Sequence, residues 1–87
     1  MNSITTEDFS VCFAALPNEI QVQARHAYRL WKANPYHPGL RFKSIRGSPK
    51  LPSVRIGRGW RALGKMDNDT MIWFWIGSHG DYDQLIG

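Results

Sequence analysis

The segment Thr70-Met-Ile-Trp-Phe-Trp-Ile-Gly-Ser-His-Gly-Asp-Tyr82 is the most hydrophobic run of the sequence, and a cluster of reactive side chains ends it. In an extended chain, Met71, Trp73 and Trp75 project to one face and the residues between them project to the other. A strand that is apolar on both faces needs cover on both, so the pattern predicts an internal strand of a sheet. The two glycines that follow allow a sharp turn, which predicts that His79 lies at the edge of the sheet, in a cleft.

Two amphipathic helices are predicted before this strand. Thr5 and Thr6 supply hydroxyl groups for a helix N-cap, and two acidic residues follow in the first turn. Pro17 then interrupts the chain and suits the start of a second helix. Residues 34–39 contain two prolines and a glycine, so they connect the helices to the rest of the chain. The apolar residues recur at helical spacing in both helices: Phe9, Cys12, Phe13 and Leu16, then Ile20, Ala24, Ala27 and Trp31.

From Leu40 onward the apolar pattern has the strand period. Helices followed by strands predict the α+β class, with two N-terminal helices packed on a twisted, mainly antiparallel sheet of about four strands. Residues 57–59 and 67–69 are turn sequences that would join the last three strands as a meander, and residues 47–52 read as a turn-rich loop. Trp73 and Trp75 are expected to lie together beneath the helices. The predicted strands begin at Leu40, Ser53, Trp60 and Thr70.

The composition indicates one domain, residues 1–87, with a basic surface. Eleven Lys and Arg against seven Asp and Glu give a formal net charge of +4, which suits a polyanionic ligand. Cys12 is the only cysteine and excludes an internal disulfide, and the sequence starts without a signal-peptide pattern. No apolar run has the length of a membrane span, so a membrane partner is not expected. These features predict a cytoplasmic protein.

Basic residues at alternating strand positions are candidates for binding phosphate. They would share one sheet face, with His79 and Tyr82 at its margin. Guanidinium groups neutralise phosphates, and an imidazole or a phenol transfers protons, so this combination suits RNA cleavage through the 2′-hydroxyl without a metal. Aromatic side chains also stack on unpaired bases. The candidate basic residues are Arg41, Lys43, Arg55, Arg61 and Lys65.

Each candidate also has an ordinary structural interpretation. A basic strand face is often merely solvated, His79 could cap the end of the sheet, and Tyr82 could be a packed ring with its hydroxyl at the surface. A metal site at His79, Asp81 and Asp83 is a weak hypothesis, because no second coordinating cluster accompanies them. No metal or cofactor is therefore expected.

Several segments, in this order, resemble the RelE/ParE superfamily of bacterial type II toxin–antitoxin systems. Together they extend from Leu16 to Asp83, most of the chain. The matching segments are Leu16-Pro17, Asn34-Pro-Tyr-His-Pro38, Leu40-Arg-Phe-Lys43, Ser53-Val-Arg-Ile-Gly57, Trp60-Arg-Ala-Leu-Gly64 and Ile76-Gly-Ser-His-Gly-Asp-Tyr-Asp83.

The resemblance implies a small α+β toxin that a cognate antitoxin protein neutralises. In RelE-like members it implies cleavage of mRNA on the ribosome. Carried over by position, Lys43, Arg55 and Arg61 look like the groups that bind phosphate and stabilise the transition state. His79 and Tyr82 look like the proton-transfer pair.

Two features of the family leave alternatives open. Members commonly begin with a strand, whereas residues 1–4 are short for one, so the presence of this edge strand stays open. The superfamily also contains ParE-like branches that inhibit DNA gyrase without being nucleases. A gyrase-binding toxin is therefore the alternative to an mRNA endonuclease, and a plain RNA-binding or inactive interaction protein is the third possibility.

Overall fold

The computed structural model describes residues 2–45 and 48–86, without the side chains of residues 43, 45 and 48–50. Helices and strands follow the predicted order, with one further element at each end. The elements are β1 (Asn2–Thr5), α1 (Glu7–Ala14), α2 (Asn18–Ala33), a 3₁₀ turn (Pro38–Leu40), β2 (Lys43–Ile45), β3 (Ser48–Ile56), β4 (Trp60–Asp67), β5 (Thr70–Ser78) and α3 (His79–Ile86).

These strands form one sheet in the order β1-β5-β4-β3-β2. β3, β4 and β5 form the predicted antiparallel meander, and β5 is paired on both sides. β1 pairs with β5 in parallel, so the edge strand that the sequence left open is present. Backbone bonds fix both its ends: Asn2 donates to the Asp69 carbonyl and Thr6 donates to the Trp73 carbonyl, each at 3.0 Å. The predicted α+β class is confirmed, with a sheet of five strands.

The main core lies between the sheet and the first two helices, with α1 on β5 and α2 on β3. The Thr6 hydroxyl caps α1 by accepting from the Phe9 backbone N–H, as the sequence predicts. Trp31 of α2 meets Trp73 of β5 edge to face, with ring centroids 5.3 Å apart. The predicted apolar residues of α2 are all buried in this core: Ile20, Ala24, Ala27 and Trp31.

The prediction that Trp73 and Trp75 share a face is wrong. Leu63 pairs with Trp75 but Gly64 pairs with Trp73, so Phe74 is an extra residue that interrupts the alternation. Trp73 therefore joins the main core, whereas the Trp75 ring lies 6.4 Å from that of Tyr82 in α3. Because of this bulge, the sheet face opposite the main core has an apolar contact of its own, between Trp75 and Tyr82.

Element boundaries differ from the predictions at two places. The chain makes a 3₁₀ turn at Pro38–Leu40 where a strand was expected to begin. β3 begins at Ser48 rather than Ser53; Pro52 is tolerated there because its partner β2 is a short edge strand with an irregular register. Gly47 of the predicted loop lies outside the described residues.

A third helix, α3, replaces the turn predicted after β5. The Ser78 hydroxyl accepts a hydrogen bond from the Asp81 backbone N–H at 3.1 Å, which is half of a capping box. This Ser-x-x-Asp spacing is the signal that sequence reasoning passed over, because Gly80 suggested a turn instead.

Gly64 is a position where a side chain does not fit. A Cβ there would lie 2.6 Å from the Met71 sulfur and 3.0 Å from Trp73 Cε3. Because Met71 is fully buried, we expect Gly64→Ala to lower the free energy of unfolding by about 1–3 kcal/mol. Urea denaturation measures this. Gly59→Ala is the matched control, since a Cβ at Gly59 meets nothing within 4 Å; equal midpoints for the two variants would contradict the expectation.

Candidate RNA-binding cleft

A cationic cleft opens on the sheet face opposite the first two helices. Val54, Ile56 and Ala62 face the main core, so the alternate residues Arg55 and Arg61 face the other way. The cleft has a volume of about 620 Å³, and none of its described lining residues is acidic. Its lining residues are Arg41, Phe42, Arg55, Arg58, Trp60, Arg61 and His79.

Arg61 forms the floor of this cleft and is only 5% exposed. Its Nη2 donates to the Ser53 hydroxyl at 2.7 Å and to the Arg41 carbonyl at 3.3 Å. The guanidinium carbon lies 5.2 Å from the centre of the Tyr82 ring, a cation–π distance. Its Nε is buried and has no hydrogen-bond partner among the described residues.

The charge of Arg61 is poorly compensated by the protein. Burial lowers the pKa of its guanidinium, and neighbouring Arg55 acts in the same direction, while Tyr82 and Asp83 oppose the shift. Among the residues described, no carboxylate forms a salt bridge with Arg61. A buried cation without an anionic partner raises the free energy of the folded state, so a bound phosphate would relieve an existing cost.

Arg41 and Arg55 reach the cleft from two different elements. Arg41 has a left-handed backbone, φ 48° and ψ 44°, and its carbonyl is the one that Arg61 holds. Arg55 is the cross-strand partner of Arg61, and its Nε donates to the Gly57 carbonyl at 2.7 Å. Like charges on adjacent strands repel, which again favours an anion between them.

His79 lies on the rim of the cleft as the first residue of α3. Its backbone N–H donates to the Gly59 carbonyl at 2.7 Å, which ties α3 to the β3–β4 turn. The imidazole side chain is 56% exposed; Nε2 lies 3.6 Å from Asp83 Oδ2. The ring also stacks on Tyr82, with centroids 5.9 Å apart.

Tyr82 lies beneath His79 rather than at the surface. It is 4% exposed and packs between the Trp75 ring and the Arg61 guanidinium. This location matches the packed-ring interpretation of the sequence. It makes Tyr82 a support for two cleft residues.

Of the other predicted phosphate-binding residues, the structure places Lys65 away from the cleft and leaves the position of the Lys43 side chain open. Lys65 is exposed on β4 at the Ile72 pair, beyond Leu63, and does not line the cleft. The backbone of Lys43 pairs with Ser53 at the sheet edge, and its side chain lies outside the described part of the chain.

Three lining residues were missed by the sequence reasoning: Arg58, Phe42 and Trp60. Arg58 occupies the turn between the two strands that carry Arg55 and Arg61, and that position was the available signal. Phe42 and Trp60 are half-buried and also pack against the core, so their apolar character gave no indication of the cleft.

Two properties of the described residues, 2–45 and 48–86, bear on other classes of function. No group of three His, Cys, Asp or Glu side chains is arranged to hold a metal ion. None of the helices there has the length and apolar character needed to cross a membrane.

Comparison with known proteins identifies the fold and the family. The fold is similar to that of the toxin in the *Methanococcus jannaschii* RelB–RelE antitoxin–toxin complex, with TM-score 0.72, 15% identity and coverage of 97% of this chain and 99% of that chain. It is also similar to *E. coli* YafQ, with TM-score 0.75, 10% identity and coverage of 93% and 96%. The *Agrobacterium tumefaciens* YoeB/ParE toxin gives TM-score 0.71, 13% identity and coverage of 91% and 99%.

Comparison of sequences gives fewer matches than comparison of folds. No curated protein sequence matches the chain significantly. The family model of the ParE-like toxin domain, however, matches residues 18–84, which include α2, strands β2 to β5 and every described lining residue of the cleft. The chain therefore belongs to the ParE-like toxin domain family of the RelE/ParE superfamily.

Proposed function

We propose that this protein is the toxin of a type II toxin–antitoxin system and that it cleaves mRNA on the ribosome. The observation that carries the proposal is the buried, poorly compensated charge of Arg61 on the floor of a cleft whose described lining residues include no acidic side chain. A phosphodiester supplies the missing negative charge. The Arg61 guanidinium would also stabilise the charge that develops on the phosphoryl oxygens during cleavage.

The reaction would proceed by attack of a 2′-hydroxyl on the adjacent phosphorus, with loss of the 5′-oxygen. In this step His79 would accept the proton of the 2′-hydroxyl, and a water molecule from the open cleft would protonate the leaving 5′-oxygen. His79 is the exposed proton carrier on the rim of the cleft. Tyr82, buried beneath it, holds the imidazole and the Arg61 guanidinium in place.

His79→Gln tests this assignment. Glutamine retains hydrogen bonding but carries no proton near neutral pH, so we expect mRNA cleavage to fall by about a hundredfold or more. Because the side chain is 56% exposed, the free energy of unfolding should change by less than about 0.5 kcal/mol. Cleavage of ribosome-bound message and thermal unfolding measure the two effects. A folded variant that cleaves at the parental rate would eliminate this role for His79.

An antitoxin partner is part of the same proposal. Similar solved structures include RelB–RelE complexes from *Methanococcus jannaschii* and *Pyrococcus horikoshii*. In this chain β1 is an edge strand with Ile4 55% exposed, and the helices expose Val11 and Val22 at 65% and 60%. An open strand edge and apolar helix surface suit a partner that adds a strand or a helix.

The alternative function is binding of DNA gyrase without nuclease activity. The ParE-like family model favours it, and so does the cleft itself, where His79 is the one proton carrier near neutral pH among the described lining residues. Induction of the chain alone, with translation and replication followed separately, distinguishes the two. Rapid translation arrest with cleaved message supports the nuclease. DNA breaks with intact message would overturn it in favour of gyrase binding.

A further inference from the structure

An aromatic pair, Tyr36 and Phe42, lies beside the cationic cleft. Their ring centroids are 5.9 Å apart and the ring planes meet at 75°, edge to face. Phe42 lines the cleft and is half-buried against the core. Tyr36 is 78% exposed, the largest value among the large apolar side chains of the described residues. An aromatic ring face is thus presented to solvent next to a group of arginines.

The loop that carries this pair is held by polar contacts. The Tyr36 backbone N–H donates to Asn34 Oδ1, and the Gly39 N–H donates to His37 Nδ1, each at 3.1 Å. At its far end, Arg61 Nη2 donates to the Arg41 carbonyl. Since these bonds hold the backbone, the Tyr36 ring is not needed to hold the loop, and the backbone that carries the ring is in place before any ligand binds.

We infer that Tyr36 and Phe42 form a stacking subsite for one unpaired base of a single-stranded RNA. The inference rests on the proposed function, because the neighbouring phosphate of that RNA is the one in the cleft. Aromatic rings bind unpaired bases by stacking, and cations beside them neutralise the backbone. Arg41 precedes Phe42 in sequence and lines the cleft, so a base and its adjoining phosphate meet adjacent residues.

The competing explanation is that the pair only covers the core. It accounts for Phe42, which packs against core residues. It does not account for Tyr36, because a ring that is 78% exposed excludes little water from the core. Tyr36 is therefore the residue whose replacement separates base stacking from packing.

The test measures binding of a short, fluorescently labelled RNA by fluorescence anisotropy at low salt. The 2′-hydroxyls of this RNA are methylated to prevent cleavage. We expect Tyr36→Ala to weaken binding about tenfold and Tyr36→Phe to retain the parental affinity, since stacking needs the ring alone. Leu85→Ala, at a position 54% exposed near the end of α3, is the matched control and should bind like the parent. Thermal unfolding shows that each variant is folded.

Abasic RNAs complete the experiment. Removing the base at one position should weaken binding to the parent about tenfold, and the same removal should have no further effect on Tyr36→Ala. If Tyr36→Ala binds like the parent while parental affinity still falls with salt, the stacking subsite is overturned and phosphate binding in the cleft survives. If the parent binds none of these RNAs, the subsite is overturned, and cleavage of ribosome-bound message decides the proposed function separately.

Discussion

Replacing Trp31 by alanine should lower the free energy of unfolding by about 3–5 kcal/mol. This is much of the total stability expected for a domain of this size, so the melting temperature should fall by more than about 10 °C. Trp31 is 1% exposed and contacts the rings of Tyr28 and Trp73. It also lines an apolar cavity of about 290 Å³ between α1, α2 and the sheet. The truncation would enlarge this pocket.

Trp31→Phe separates the apolar contact from the indole N–H. Trp31 Nε1 is buried without a hydrogen-bond partner, so losing it removes no bond, and phenylalanine keeps much of the ring contact. We expect Trp31→Phe to lower the free energy of unfolding by less than half as much as Trp31→Ala does. Urea or thermal unfolding measures both losses. Equal losses for the two variants would contradict the view that ring packing supplies the stability. Tyr36→Ala, at a position 78% exposed, is the surface control and should lie within about 0.5 kcal/mol of the parent.

The sequence predicted the helices and the meander because each has an unambiguous period. The apolar residues of α2 and the turns at residues 57–59 and 67–69 were found where expected. The predicted alternation failed at Phe74, which is an unpaired residue, so that the residues after it lie on the opposite sheet face from the one predicted. Such a bulge depends on the partner strand as much as on the sequence of the strand itself. The same limit applies to β1, which is a strand only because β5 offers it an edge.

The candidate cleft was predictable in part. Strand alternation brought Arg55 and Arg61 to one face, and the position of His79 after β5 brought it to the same end of the sheet. The burial of the cleft side chains was not predictable. Strand alternation shows on which face of the sheet a side chain lies, but it does not show how deeply that side chain is buried. Tyr82 and Arg61 are more buried than the side chains of a site confined to the surface would be.

The depth of Arg61 leads to the second large expected effect: Arg61→Met should strongly reduce mRNA cleavage with little net loss of stability. Burial lowers the pKa of Arg61, so the charged form is less favoured in the folded protein than in the unfolded chain, and at neutral pH its charge costs the folded state free energy. Methionine fills similar space without that cost, and replacing buried charges by apolar residues is often neutral or stabilising. The Arg41 carbonyl, on an exposed residue, can bond to water instead, whereas the buried Ser53 hydroxyl loses the Arg61 donor, which offsets part of the gain.

Cleavage should fall at least about a hundredfold in Arg61→Met, because the cation that would stabilise the phosphoryl oxygens is gone. Arg61→Lys keeps the charge but lacks the planar fork that reaches both the Ser53 hydroxyl and the Arg41 carbonyl, so it should recover only part of the rate. Arg29→Met is the matched control: it removes one positive charge from the exposed face of α2, on the other side of the sheet. Thermal unfolding and cleavage of ribosome-bound message are measured on all three variants. A strongly destabilised Arg61→Met protein would mean that Arg61 serves mainly to hold the fold, whereas a stable variant with parental cleavage would remove the buried cation from the mechanism.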